Sequence, residues 1–323
     1  KSTPSYKGTD GITISTDAAG NSFTASLPTA QSGGFAAATG TNQIDGAQYF
    51  KNIDNSTGGT QGLIGADYND AISAPGLIHS LATNGATQID NIISLAETRG
   101  DCIAVVDLVP HGTSATTTVT AEASEINSSY AATYWPWVQV GSATGKNVYV
   151  PASVTIPGVY AFTDGSSAPW FAPAGLVRGG IPTVVQAERK LTRSERDTLY
   201  TSNVNPIATF PGQGIAVFGQ KTLQSKASAL DRVNVRRLLI ELKKFVGDQA
   251  NNLVFDQNTI TTRNKFLSAV NPFLDSVVQR QGLYSFRVVM DDTNNTADVI
   301  DRNQLIGQIF IQPSKTAEFI VLD

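Results

Sequence analysis

The spacing of apolar residues changes along the chain and divides it into three parts. Before residue 62, short pieces alternate apolar and polar residues, as at 11–15 and 22–27, among many Gly, Ser, Thr and Asn residues. Alternation with a period of two predicts short β-strands joined by loops. We therefore expect residues 1–61 to form a β-rich peripheral domain, truncated where the sequence begins.

From about residue 62 the pattern becomes that of an α/β protein. Apolar residues recur at helical spacing at Ile89, Ile92, Ile93 and Ala96. Gly100 stands where such a helix would stop, and the apolar run 102–109 is typical of a buried strand. This is half of a βαβ unit. We expect residues 62–190 to be an α/β domain with helices packed on a mixed sheet, so that the fold class is α/β (α+β) with several domains.

Two amphipathic helices are predicted in the last third of the chain. The first has an apolar stripe made of Val235, Leu238, Leu239, Leu242, Phe245 and Val246. Its remaining surface carries Arg236, Arg237, Lys243 and Lys244, which we expect to be exposed. The second places apolar residues from Phe266 to Val278 on one face, with Gly282 as its stop and Pro272 as a kink or break.

Strands are predicted after these helices, at 283–290, 305–311 and 318–322, with the turn-rich segment 291–296 and Pro313 between them. Residues 191–323 are therefore expected to form a C-terminal core domain. A sheet edge left open at the end of the sequence would be a site for pairing with another chain.

The net charge of −4 is unevenly distributed. Residues 1–177 carry 5 basic and 13 acidic residues, residues 178–245 carry 12 and 5, and residues 246–323 carry 6 and 9. The basic middle part is either a solvated face or a docking surface for an acidic partner. Nucleic acid is not the expected partner, since no recognition motif or aromatic stacking signature accompanies the charge.

Motifs that would bind a nucleotide or a metal are incomplete. The segment 141–147 has one residue too few between its glycines for a phosphate loop, and Asn147 replaces the required Ser or Thr. Gly212 and Gly214 lack the third glycine of a dinucleotide fingerprint, so both segments are interpreted as turns. Cys102 is expected to be a small buried hydrophobe, and neither His79 nor His111 has a neighbouring metal ligand. No cofactor or metal is expected.

A stretch rich in proline and aromatic residues contains Trp135, Trp137 and Trp170. It could build a sugar or peptide groove, but we favour a rigid packed loop region. The sequence has no apolar run long enough for a membrane helix, and residues 1–20 lack the core of a signal peptide. The start at Lys1 and the stop after an apolar run suggest a fragment. A single cysteine allows no disulfide within the chain, which is typical of an intracellular assembly product.

Three stretches of the C-terminal half, 231–248, 282–303 and 313–322, resemble the tail sheath proteins of T4-like contractile-tailed phages. Weaker matches extend the resemblance over about residues 62–323. The resemblance implies a structural subunit without enzymatic activity, which assembles as a helical stack of six-fold rings around a tail tube and contracts to drive the tube through the host envelope.

The same resemblance implies further partners, namely the tube protein, the baseplate and the tail terminator, but neither nucleic acid nor membrane. It places the protein in the virion tail after assembly in the host cytoplasm. Some of Arg236, Arg237, Lys243 and Lys244 would then face an acidic tube, unless they form salt bridges inside the fold. The family's N- and C-terminal arms are not found here, so we expect the chain alone to remain monomeric. The alternatives are a degenerate Rossmann-like enzyme and a carbohydrate-binding adhesin.

Overall fold

The computed structural model describes residues 85–141 and 147–318, together with four strand segments before residue 85. The first three strands are β1 (Tyr6–Lys7), β2 (Thr13–Thr16) and β3 (Phe23–Ser26). They form an antiparallel sheet in the order β1-β2-β3. Strands β2 and β3 overlap the alternating segments 11–15 and 22–27, whereas β1 was not predicted.

A five-stranded sheet forms the centre of the molecule, in the order β11-β10-β6-β5-β4. Its strands are β4 (Ala71–Ile78), β5 (Ile103–Asp107), β6 (Ala131–Trp135), β10 (Asn205–Phe210) and β11 (Gly214–Val217). All neighbours are parallel except β11, which pairs antiparallel with β10. Helix α1 (Gly85–Arg99) links β4 to β5 and ends at Gly100, whose φ of 70° is left-handed. The predicted α/β class, helix and stop are confirmed.

Both faces of this sheet are covered by helices. Ala104 and Val106 of β5 point into a core that includes α1, α2 (Thr116–Ser124) and α5 (Arg193–Thr201). Ile103 and Val105 point into a second core with α3 (Ala152–Ser166). Burial on both faces explains the continuous apolar run at this strand. The sheet continues past the domain boundary expected at residue 190, because β10 and β11 complete it.

The stretch rich in proline and aromatic residues is more ordered than expected. It contains α3, the short helix α4 (Gly175–Arg178), and strands β7 (Val138–Gly141) and β8 (Asn147–Val150), which join β9 (Val184–Ala187) in the order β8-β7-β9. The prediction of a loop is therefore wrong for α3, which tolerates Pro157 within it. Packing of Ile156, Val159 and Tyr160 on the sheet outweighs the weak local helix signal.

The C-terminal part consists of two long helices and a strand pair. Helices α6 (Val233–Asn251) and α7 (Ile260–Gln279) are followed by β12 (Leu283–Val289) and β13 (Gln308–Pro313), which pair antiparallel. Between the strands lies α8 (Ala297–Asp301), which the sequence pattern did not predict. The strand predicted at 305–311 begins later, and the apolar run 319–322 lies outside the described residues.

Pro272 does not break its helix, and Gly282 has a different role from that predicted. Helix α7 continues through Pro272 to Gln279. It is closed by Gln281 in a left-handed conformation, with φ 65°, while the amide of Gly282 donates to the carbonyl of Val277 at 2.8 Å. A Cβ at Gly282 would come within 2.6 Å of the Val277 side chain and 3.0 Å of the Trp170 ring. Glycine is required there for close packing rather than for its backbone conformation.

Candidate interface surfaces

Helix α6 holds the four predicted basic residues in two different environments. Lys243 and Lys244 are exposed, but Arg236 and Arg237 are only 5% and 2% exposed. The prediction that these two arginines lie on an exposed surface is therefore wrong. The physical reason is that the first half of α6 packs on both sides, since Val233 and Ile240 belong to the core of the central sheet and Leu238 to the core of the C-terminal part.

Arg237 joins α6 to α3 through a largely buried ion pair. Its guanidinium lies 2.5 Å from the carboxylate of Asp164 and 4.7 Å from the ring centroid of Tyr160. The Tyr160 hydroxyl is in turn 2.7 Å from that of Tyr134. Burial raises the pKa of Tyr160 to about 12. The Tyr160 hydroxyl is therefore neutral at physiological pH, and the Tyr160 ring covers the guanidinium of Arg237.

Arg236 stacks on the ring of Tyr130, with its guanidinium carbon 3.9 Å from the ring centroid, and donates a hydrogen bond to Ser129. Burial lowers the pKa of Arg236. Electrostatic interactions with the nearby Tyr130 and Glu97 act in the opposite direction but do not cancel this effect. Lys243 reaches the same tyrosine from the solvent side, with Nζ 3.3 Å from its hydroxyl. Of the four basic residues predicted to be exposed on α6, Lys243 and Lys244 are the two that are exposed.

A carboxylate near the end of the described chain fastens the C-terminal segment to the central sheet. Glu318 accepts hydrogen bonds from Arg232 at 2.6 and 2.9 Å, from the Tyr200 hydroxyl at 2.7 Å and from Gln220 at 3.2 Å. Burial alone would raise the pKa of Glu318, but the hydrogen bonds from Arg232 and Tyr200 lower it below its ordinary value. We call this arrangement of Glu318, Arg232, Tyr200 and Gln220 the C-terminal clasp.

Cavities of about 660 and 630 Å³ lie beside the segment 314–318. The larger one, which we call the aromatic groove, is lined by Trp170, Phe171, Phe218 and Tyr284, with Arg178 and Arg196 beside them. These residues come from distant segments of the chain. Periodicity reports local structure only, so the sequence pattern contained no signal that would have identified either the groove or the clasp.

A buried carboxylate lies where β5 meets α3. Asp107 is 3% exposed and accepts hydrogen bonds from the amide and the hydroxyl of Ser153, at 3.2 and 2.5 Å. Burial raises the pKa of Asp107 to about 7, although the hydrogen bonds from Ser153 act in the opposite direction. The unfolded chain loses this proton near the ordinary value of 3.8.

The stability of the protein is therefore expected to fall as pH rises from about 4 to about 7, because the folded state then binds more protons than the unfolded state. Thermal unfolding across this range measures the effect, and Asp107→Asn should flatten the profile. The carboxylates of Asp101 and Glu318, whose pKa values are lowered, act only at more acidic pH. If the stability of Asp107→Asn depends on pH as steeply as that of the wild type, Asp107 is not the cause of the pH dependence.

Several features speak against the alternative functions. Trp135 and Trp170 are buried, and the indole of half-buried Trp137 donates to the carbonyl of Val109 at 2.9 Å. An adhesin would need these rings exposed. Gly212, with φ of 75°, lies within the turn between β10 and β11, and Gly214, with φ of 86°, is the first residue of β11, which confirms the interpretation as a turn. Residues 142–146 of the other glycine segment lie outside the described residues.

Cys102 is fully buried, as predicted. His111 lies 3.4 Å from Glu188, and within residues 85–141 and 147–318 no three side chains of the His, Cys, Asp and Glu type are grouped as metal ligands. His79 lies outside the described residues. None of the described helices has the length and apolar character needed to cross a bilayer.

Comparison with known proteins identifies the family. Residues 43–223 match the model of the phage tail sheath protein central domain, and residues 225–323 match that of the phage tail sheath C-terminal domain. The tail sheath protein of Vibrio phage KVP40 is 43% identical over 178 residues, which are 55% of this chain and 26% of that protein. The tail sheath protein of Enterobacteria phage T4 is 32% identical over 261 residues, which are 76% of this chain and 40% of that protein.

A solved structure has the same fold. The sheath complex of an extracellular contractile injection system, PVC, in its contracted state superposes with a TM-score of 0.64 at 25% identity, covering 72% of this chain and 67% of that chain. The present chain thus spans between about a quarter and two-fifths of the length of the two curated relatives. Since the two domain models together cover residues 43–323 almost without interruption, the chain belongs to the phage tail sheath family.

Proposed function

We propose that this chain is the core of a structural subunit that polymerises helically around a phage tail tube and contracts to drive the tube through the host envelope. The observation that carries this proposal is the match to both sheath domain models in their order along the chain. The family to which the chain belongs is structural, and the proposed role requires no catalysis. The proposed location is the virion tail, after assembly in the host cytoplasm.

The contacts between domains fit a subunit that moves as one body. Helix α6 contributes to the core of the central sheet and to that of the C-terminal part, and Arg237 and Glu318 add polar ties between them. Contraction of a helical lattice then changes the contacts between subunits while each subunit keeps its fold. Such a lattice can hold stored free energy behind a kinetic barrier, so that no nucleotide is needed at that step.

The proposed partners are further copies of the chain in six-fold rings, the tube protein, the baseplate and the tail terminator. The strand pair β12-β13 supports contact with other copies, because a two-stranded sheet has two edges that can accept a strand. Electron microscopy of the full-length protein expressed alone tests the proposal. Tubes with helical order are the expected result, and a protein that remains dispersed at all concentrations would contradict it.

Lys243 and Lys244 are proposed to face the tube. Reversing both charges with Lys243→Glu and Lys244→Glu is expected to weaken co-assembly with tubes about tenfold, since each exposed charge pair contributes about 1 kcal/mol or less. The difference should shrink as salt is added, because screening weakens exposed charge contacts. Co-sedimentation with purified tubes measures it.

Lys226→Glu provides the matched control, since Lys226 is also exposed but lies outside α6. It should co-assemble like the wild type. Equal co-assembly of the double variant and the wild type would remove the tube-docking role of the two lysines and leave the sheath function itself untouched.

A further inference from the structure

The loop between α6 and α7 presents a large apolar residue that is not packed in any core of the described residues. Phe255 is 100% exposed and has a left-handed φ of 74°, which is unfavourable for a bulky residue. Val254 and Ile260 beside it are also mostly exposed. We call Val254, Phe255 and Ile260 the hairpin tip. Exposure and strain both disfavour Phe255 in an isolated subunit, so its fixed presentation calls for a partner.

The hairpin tip is held firmly by the residues around it. Leu253 is buried in the core shared by α6 and α7. Asn258 donates to the carbonyl of Gln304 at 2.8 Å and accepts from Arg263 at 2.9 Å. The aromatic ring is thus presented from a fixed base, which lowers the entropic cost of docking.

The aromatic groove offers a matching surface on the same chain. Its wall includes the exposed rings of Phe218 and Tyr284, and Arg178 lies over the ring of Phe171 at 5.1 Å. A volume of about 660 Å³ accommodates an aromatic side chain together with its aliphatic neighbours. An entering phenylalanine would meet aromatic edges and the planar face of a guanidinium, both favourable contacts for its ring.

Charge supports the same pairing. Residues 245–262 contain Asp248 and Asp256 but neither lysine nor arginine. The groove is lined by Arg178, Arg196 and Lys315 against Asp197 and Glu318. Glu318 is already paired with Arg232 in the C-terminal clasp. Asp256 forms a 3.5 Å ion pair with Lys265, but their side chains are 44% and 65% exposed, so this weak contact can be exchanged for one with a basic residue of the groove.

The tip and the groove of one chain lie at opposite ends of the helix pair. Asn234 at the start of α6 lines the groove, while α6 ends at Asn251 beside the tip. A helical rise of 1.5 Å per residue separates them by about 26 Å. Trp170, which bonds to both Asn234 and Arg280, shows that α7 returns to the groove. The tip cannot fill its own groove, so the contact must be heterologous and can repeat without closing.

We propose that the hairpin tip of one copy inserts Phe255 into the aromatic groove of a second copy. The proposal rests on the sheath function and names one of the subunit contacts that would build the lattice. It defines a head-to-tail interface in which the two surfaces belong to different ends of the same chain.

Disulfide trapping tests this contact. Phe255→Cys and Ala172→Cys are prepared as separate variants of this chain and of the full-length protein, mixed, and oxidised. Cys102 is fully buried and does not interfere. The mixture should give a covalent heterodimer on non-reducing gels, whereas neither variant alone should. Val185→Cys, at an exposed strand position away from the groove, replaces Ala172→Cys in the control mixture and should give none.

A second variant separates docking from folding. Asparagine accepts the left-handed conformation, so Phe255→Asn should raise the thermal midpoint of the isolated chain and yet raise the concentration needed for assembly at least about tenfold. Val185→Asn should leave assembly unchanged. A structural role for Phe255 in the subunit would instead lower the thermal midpoint.

The outcomes distinguish this contact from the proposed function. If the full-length protein forms tubes but the mixed disulfide does not form, the contact is overturned and the sheath function stays intact. Normal assembly of Phe255→Asn into tubes has the same meaning. The mixed disulfide without tubes supports the contact and overturns helical polymerisation. If the mixed disulfide does not form and no tubes form either, both the contact and the proposed function are overturned.

Discussion

Asp164→Ala is expected to destabilise the protein by about 2–3 kcal/mol, because it removes the carboxylate that faces the buried guanidinium of Arg237. Loss of one partner of a fully buried pair costs about 3–5 kcal/mol, and the smaller figure reflects solvent access at the Asp164 end. The Asp164 side chain is 28% exposed, against 2% for Arg237. Urea unfolding at neutral pH measures the change.

Two further variants identify the cause of this loss. Asp275→Ala removes an exposed aspartate from α7 and should change stability by about 0.5 kcal/mol or less. The double variant Asp164→Leu, Arg237→Met contains no buried charge at this position and should regain most of the loss. Equal stability of Asp164→Ala and Asp275→Ala would mean that the ion pair does not hold α6 against α3.

The ion pair also explains why the basic helix could be predicted only in part. The apolar stripe of α6 was visible in the sequence, and residues such as Leu238 and Leu242 are indeed in the core. Helical periodicity, however, identifies one apolar face and treats the other as solvent-exposed. It cannot report that a second layer covers the polar face of the first half of α6. Arg236 and Arg237 are buried because Tyr130 and Tyr160 cover them.

Glycines and prolines show a similar limit. Gly100 was predicted as a helix stop and adopts the left-handed conformation that such a stop requires. Gly282 was also predicted as a helix stop, but the left-handed conformation at the end of α7 is adopted by its neighbour, Gln281. The requirement for glycine at 282 comes from the side chain of Val277 and from the ring of Trp170, which lies more than 100 residues earlier in the chain. Local rules therefore succeed where the cause is local and fail where packing across the fold decides.

The surfaces proposed to act in assembly were the least predictable. The aromatic groove needs residues from α4, α5, β10, the segment 218–220 and the segment 314–318 to meet, which only the folded chain reveals. The resemblance to sheath proteins supplied the family, and the family models confirm it. Neither identifies which residues of this chain form its contacts, so Lys243, Lys244 and Phe255 remain subjects of experiment.

The second large effect is expected at the C-terminal clasp. Glu318→Ala removes four hydrogen bonds at once and leaves the half-buried groups of Arg232 and Tyr200 without that acceptor. A cost of about 1–3 kcal/mol for each buried polar group left unsatisfied, reduced by partial solvent access, gives an expected loss of about 3 kcal/mol. Among the described residues, the segment 314–318 carries this carboxylate, so the loss should appear first as local release of that segment.

Limited trypsin digestion detects that release, since exposed Lys315 lies within the segment. Cleavage after Lys315 should accelerate at least about tenfold in Glu318→Ala, because the segment must open locally before a protease can bind it. Glu125→Ala, at an exposed position after α2, should digest like the wild type. Digestion of Glu318→Ala at the wild-type rate would show that other contacts hold the segment.

Acid should weaken the same clasp in the wild type. The pKa of Glu318 is lowered in the folded state, so its stabilising contribution is present above the ordinary carboxyl pKa and is lost as pH falls through the lowered value. Hydrogen exchange of the amides in 314–318, compared between neutral and acidic pH after correction for intrinsic rates, should report faster opening in acid. Glu318→Ala should open at a rate that no longer depends on pH in this way, because the titrating group is gone. A segment that responds to acid equally in the variant would assign the effect to a different carboxylate, and the fastening of the C-terminal segment to the central sheet would then have to be sought elsewhere.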